Sequence, residues 1–288
     1  MKTPGPGVLA VASQIECFYR RDMKRLNAYG LFALAVLCSP ALMLAQVPTV
    51  ADGGILNGAS FAKGQAVAPG SLVSIFGTEL AASLAQADSV PLSTVIGGVS
   101  VTFNGVAAPL QFVSPTQVNV QVPWEVSPAD GGSATVDVVV KRGSSSSAAA
   151  KLNLVSAAPA FFTVSGGQAI AINGDGTLAA PSGSIPGLST HPAKTGDTLV
   201  LYATGLGAVT PSVLSGHDSL DQLRRTNQMP VVTIGGMSAQ IPFSGLTPQF
   251  PGVNQLNVVI PGNVASGSNV PVQIQLNGIT HQATVAIQ

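Results

Sequence analysis

The chain has 288 residues, of which 12 are basic and 12 acidic, so only 8% are charged. An ordinary soluble domain carries about 25%. That deficit excludes a disordered acidic or basic tail and a charge-rich coiled coil. The balanced charge leaves no basic surplus for phosphates, so no nucleic-acid partner is expected.

In chain order, the first element is a targeting segment. A basic stretch, Arg20-Arg21-Asp22-Met23-Lys24-Arg25, precedes the apolar run Leu31–Leu37 and the Ala-rich Ala41–Ala45. Basic n-region, short apolar h-region and small residue together predict a signal peptide cut after Ala45. The run Leu31–Val47 contains Ser39, Pro40 and Gln46. It falls short of the roughly 20 apolar residues of a span, so the mature chain is expected to have no transmembrane segment. Residues 1–45 are read as an N-terminal extension and signal peptide. Met23 opens a compact signal by itself, and translation is expected to start there. The twin arginine Arg20-Arg21 does not continue as a twin-arginine signal, and bulky Leu37 argues against lipidation at Cys38. Both cysteines, Cys17 and Cys38, leave with the segment. The product is expected to be secreted, extracellular or held at the cell envelope, without disulfides.

The mature chain reads as strands. Leu72–Phe76 is an apolar run between Pro69-Gly70 and Gly77. Val99–Phe103 alternates and ends at Asn104-Gly105, a strong hairpin signal. Val118-Asn119-Val120-Gln121-Val122 alternates strictly and stops at Pro123, which predicts valines inward and amides outward. Thr135–Val140 and Lys151–Val155 follow. Leu80–Ala87 is the one helix-like stretch and is equally readable as a loop.

The second half repeats this order. Gly196–Leu206 matches Gly70–Leu80 without a gap. Val232–Gly236 matches Val101–Gly105, Gln255–Pro261 matches Gln117–Pro123, and Val270–Gly278 matches Val136–Gly143. Ile170–Ile172 reads as a further strand entering the turn Asn173–Gly176. The fold class expected is all-β: two tandem immunoglobulin-like β-sandwich modules, 51–157 and 158–288.

Four phrases carry a family resemblance: Leu56–Phe61, Val67–Gly77, Val113–Glu125 and Leu201–Gly207. The chain resembles the uncharacterised C-terminal domain of many secreted acidobacterial (Solibacter-type) proteins. Each half is also similar to an IPT/TIG immunoglobulin-like module. The resemblance implies a secreted, Ig-like, non-catalytic architecture and no particular activity. Two departures are His191-Pro192-Ala193, where Asn-Pro-Ala is expected, and Ser215–Gln228, a more polar stretch read as an exposed loop.

Chemistry-bearing clusters are sparse. The histidines His191, His217 and His281 show no ligand spacing, so no metal is expected. His217 with Asp218 and Asp221 reads as a solvated loop. Asn173–Thr177 lacks the carboxylates and terminal Glu of a calcium loop and reads as a tight turn. There is no nucleophile elbow or dinucleotide fingerprint. Glu79 and Glu125, the only glutamates beyond residue 45, have no reason to meet as an acid–base pair. No catalytic residue and no cofactor are assigned.

The candidate binding residues are aromatic. Trp124, the sole Trp, suits sugar stacking or partner anchoring, although a lone Trp more often plugs a junction. Phe250 lies, with Phe243, beside Gly245–Pro248 in what reads as a loop. The function expected is a secreted or cell-surface, non-enzymatic interaction or adhesion module. The alternatives are a carbohydrate-binding accessory protein and, more remotely, a hydrolase with an unrecognised site. Partners would be protein or polysaccharide at the envelope. Outward strand faces rich in Thr, Ser, Asn and Gln lack charged gatekeepers, so self-association through sheet edges is also expected.

Overall fold

The computed structural model describes residues 47–128 and 132–288. The expected signal segment, residues 1–45, lies outside them. The first strands are β1 (Thr49–Asn57), β2 (Leu72–Thr78), β3 (Ala85–Gln86), β4 (Val99–Phe103) and β5 (Val106–Ala107). β6 (Leu110–Val113), β7 (Gln117–Gln121), β8 (Ser133–Arg142), β9 (Ser145–Ser146) and β10 (Ala150–Val155) complete this half. They form a sheet ordered β1-β2-β7-β6-β3 and a second ordered β10-β8-β4-β5. Val73, Ile75, Val118 and Val120 from one sheet meet Val101, Phe103, Val138 and Leu154 from the other in a single core. Such a two-sheet sandwich follows from period-2 alternation, which gives each sheet one apolar face.

The second half has β11 (Ala160–Phe161), β12 (Ala171–Ile172), β13 (Thr198–Thr204), β14 (Val209–Thr210), β15 (Arg225–Thr226) and β16 (Val231–Ile234). It continues with β17 (Met237–Ser238), β18 (Gln240–Leu246), β19 (Asn254–Val259), β20 (Gly267–Leu276) and β21 (Ile279–Ile287). One sheet runs β11-β13-β19-β18-β15-β14, the other β17-β16-β20-β21. Their core brings Leu199, Leu201, Leu256 and Val258 against Ile234, Val272, Ile274 and Val285. Burying each such side chain stabilises by roughly 1.5–3 kcal/mol relative to exposure.

The repeat seen in the sequence is a repeat of pairing. β2 pairs with β7 as β13 pairs with β19. β4 pairs with β8 as β16 pairs with β20. The hairpin after β4 turns at Asn104 (φ 46°) and Gly105 (φ 83°), and that after β20 at Asn277 (φ 51°) and Gly278 (φ 79°). Both central residues need positive φ here, which Asn and Gly tolerate.

Of the two readings left open for Leu80–Ala87 the loop holds, with the short β3 near its end and Leu80 and Ala81 buried in the first core. Two expectations are corrected. Phe243, Gly245 and Leu246 are not loop residues but lie in β18, which pairs with β19. Gly245 is required there: a Cβ on it would sit 2.0 Å from the Arg224 carbonyl oxygen of β15's approach. Second, Asn119 and Gln121 point away from the core yet are only 1% exposed, and the second half covers Gln121.

Candidate functional site

The cover over Gln121 comes from the second half. The Gly216 N–H donates to Gln121 Oε1 at 2.7 Å, and Gln121 Nε2 donates to the Gly70 carbonyl at 3.2 Å. Next to it, the Leu92 N–H donates to the Gly216 carbonyl at 2.9 Å. Ser215 Oγ accepts the Trp124 N–H at 2.8 Å and donates to Glu125 Oε2 at 2.7 Å. The polar stretch read as an exposed loop is largely exposed, but its first residues, Ser215 and Gly216, strap it to the first sandwich. Its far end is held by Arg224, whose side chain is 6% exposed and forks onto Asp221 at 2.5 and 2.9 Å. Arg224 Nε reaches the Ser212 carbonyl at 3.3 Å. The guanidinium fork holds the Asp221 carboxyl down to about 2, so Asp221 is committed to the strap.

A second set of contacts lies at the start of β2. The Leu72 N–H donates to Thr204 Oγ1, which in turn donates to the Gly252 carbonyl at 2.7 Å. A Cβ on Gly252 would fall 2.7 Å from Leu72 Cδ2 and 3.1 Å from the Gly70 oxygen. Asn57 Nδ2 donates to the Ala158 carbonyl at 3.3 Å. The two sandwiches thus share a hydrogen-bonded seam.

Both candidate aromatics sit by this seam. The Trp124 ring lies on Gly70: a Cβ there would come within 2.1 Å of Cη2 and Cζ2. Trp124 is half-buried, and its Nε1 is buried without a hydrogen-bond partner. Phe250 is half-buried in a turn closed by Thr247, whose hydroxyl accepts the Phe250 N–H at 3.3 Å and donates to its carbonyl at 3.1 Å. That turn also carries Gly252, so the Trp124 ring and the Phe250 turn flank the same Gly70–Leu72 segment. Phe243 is buried in β18 with the Arg225 guanidinium 5.1 Å from its ring centroid.

The titratable residues are dispersed in local pairs. Glu79 meets Arg142 at 2.7 Å, and Glu125 meets Ser215. Asp175 Oδ2 meets His191 Nε2 at 2.8 Å, while its Oδ1 accepts from the Thr177 N–H and hydroxyl. The hydrogen bond from His191 first, then those from Thr177, hold the Asp175 carboxyl well below its usual range. The turn Asn173–Thr177 is closed by its own side chains and His191. Among the described residues, no three His, Cys, Asp or Glu side chains gather as a metal site. No helix among them is long and apolar enough to cross a membrane.

Residues 60–154 match the IPT/TIG domain. No curated protein matches the chain. Among solved structures, the chain is similar to the surface glycan-binding protein PbSGBP-B from Prevotella bryantii, at 13% identity and a TM-score of 0.25. The match covers 82% of this chain and 41% of that one, so the chain spans about two fifths of that protein's length. Domains 5-6 of the S-layer protein SbsC give 12% identity and a TM-score of 0.26, covering 83% and 98%. The I9-I11 tandem from titin gives 11% and 0.19, covering 77% and 64%. Superpositions this loose bear no argument about function. The family match over the first sandwich and the repeated strand pairing define the class: a tandem of immunoglobulin-like β-sandwiches.

Proposed function

We propose that the chain is a non-enzymatic interaction module displayed outside the cell or at its envelope, presenting two sandwiches as one rigid body to a protein or polysaccharide. One observation carries this reading. The seam spends buried polar groups, Thr204 and Gln121 above all, on fixing the two sandwiches against each other. Buried polar groups are costly unless paired, so their use here specifies one arrangement. A fixed arrangement presents loops from both sandwiches as a single surface, and loops on a rigid scaffold are common binding sites.

The test is capture from a native envelope or culture fraction by the intact tandem. It is repeated with Gln121→Ala plus Gly216→Val, which loosens the strap. Partner capture that drops in the loosened tandem supports rigid presentation. Undiminished capture, or none by the parent chain, counts against it. A glycan array run with Trp124→Ala as control separates partners: binding lost in the variant identifies sugar stacking, and binding to no glycan points to protein.

A further inference from the structure

Val67 lies beside the outer edge of β10 in a one-residue parallel bridge to Leu154. Its N–H donates to the Asn153 carbonyl at 3.1 Å, and its carbonyl accepts the Val155 N–H at 2.9 Å. Asn153 and Val155 therefore turn backbone groups away from β8. Alternation along an antiparallel strand makes Lys151 do the same. Among the described residues, β10 has only β8 as a strand neighbour, and the bridge at Val67 is a single pair.

Where it stops, a cleft of about 660 Å³ opens between the edges of the two sheets. One wall is β1, the other is residues 148–153, and Gly64 and Gln65, just before Val67, line it as well. Small residues, among them Ala51, Gly53, Gly54, Ala148 and Ala149, make up much of its lining. A Cβ placed on Gly53 meets no atom within 4 Å. No aromatic side chain lines the cleft, so it lacks a stacking face for a sugar. Its charged residues are Asp52 and Lys151, one of each sign, and Lys151 is already 2.6 Å from Asp137. Nothing there selects a charged ligand.

We propose that this cleft takes an extended, uncharged peptide segment of a partner protein, added as a strand to the β10 edge in continuation of the Val67 bridge. The Lys151 N–H and carbonyl supply main-chain hydrogen bonds. The small walls admit Val- and Thr-sized side chains at alternate positions. At about 3.3 Å per residue, the stretch 148–152 short of the Val67 bridge, of which Ala150–Leu152 is β10, faces about five residues of such a segment. The proposal rests on the reading of the chain as a binding module and gives it a site.

The probe is a fluorescein-labelled peptide of alternating Thr and Val with a terminal Lys, titrated against the protein by anisotropy. Saturable binding is expected. It should weaken about tenfold, the upper range for one hydrogen bond, when the peptide is N-methylated at alternate residues or when Lys151→Pro removes the edge donor. Proline is tolerated where a strand N–H faces outward. Ala149→Trp fills the cleft without touching the ladder and should also abolish binding, which keeps the test valid if the proline variant unfolds. No saturable binding, or equal binding by parent and Ala149→Trp, overturns the proposal. Envelope capture that persists in Ala149→Trp while the peptide fails overturns the cleft and leaves the interaction reading standing. Loss of both in Ala149→Trp supports the cleft as the partner's site, whereas a parent chain that neither binds the peptide nor captures a partner removes both readings.

Discussion

Thr204 fastens Leu72: its hydroxyl accepts the Leu72 N–H at 3.0 Å across 132 positions of sequence and passes its own proton to Gly252. Thr204 has no exposed surface. A single hydroxyl thus satisfies a donor in one sandwich and an acceptor in the other, at the point where β2 begins and β13 ends.

Thr204→Val should therefore destabilise the tandem. It keeps the shape and leaves the Leu72 N–H and Gly252 carbonyl unpaired, each at a cost of about 1–3 kcal/mol. Urea unfolding measures the loss. An unchanged midpoint would show that the relay contributes nothing.

Gly70→Ala should be worse than its single methyl suggests. Gly70 has φ +75°, and the new Cβ would land in the Trp124 ring. The left-handed conformation alone costs roughly 1–2 kcal/mol in a non-glycine residue. Trp124 is the only tryptophan, so its emission reads its surroundings directly. A red shift in the folded variant is expected, and an unshifted spectrum would contradict the packing.

How much of this was legible in the sequence depended on the range of the contacts. Val99–Phe103 and its Asn104-Gly105 turn are local, and alternation located them to the residue. The repeat located β2 against β13 in the same way. β18 escaped because Pro242 and Gly245 punctuate it and Pro248 follows soon after, and Gly245 is there for the close approach of Arg224. Gln121 looked solvent-facing because its cover, Gly216, is 95 positions away. One signal was present. In the repeat, Gln117 and Asn119 recur as Gln255 and Asn257, down to the same 2.8 Å side-chain hydrogen bond. Gln121 and Trp124, however, align with Val259 and Gly262. The copies differ where the seam makes its demands.

The His191 ring should titrate above 6.5. The Pro192 carbonyl, then Asp175, favours its protonated form. Its contribution to stability is whole below the unfolded value and fades as pH rises through the folded one. The Asp175 contribution is whole above 3.8 and fades as pH falls through its lowered value. The pair is strongest between those limits, and its exposure keeps the effect small. NMR titration of His191 checks this. Asp175→Asn should lower the value only partly, and a complete return to 6.5 would deny Pro192 its leading role.

His281 runs the other way. Burial lowers its pKa, and its Nδ1 accepts the Phe161 N–H at 3.2 Å, which requires a neutral ring nitrogen. The unfolded chain binds the proton more readily, so stability should fall as pH drops from about 6.5 toward the lowered value and then level off. His281→Gln keeps an acceptor for Phe161 without a titrating ring. Its thermal midpoint should be flatter over that interval, and a slope equal to the parent's would assign the effect elsewhere.

Apart from Asn57 to Ala158, the seam joins residues outside the segment that links the sandwiches. Leu72 to Thr204, Gln121 to Gly216 and Trp124 to Ser215 all lie outside residues 155–160, where the chain passes from one to the other. The peptide link is thus not what keeps the halves together. A chain cleaved once within that passage should behave as a non-covalent heterodimer, its two fragments migrating together until the buried hydroxyl and amide lose their partners.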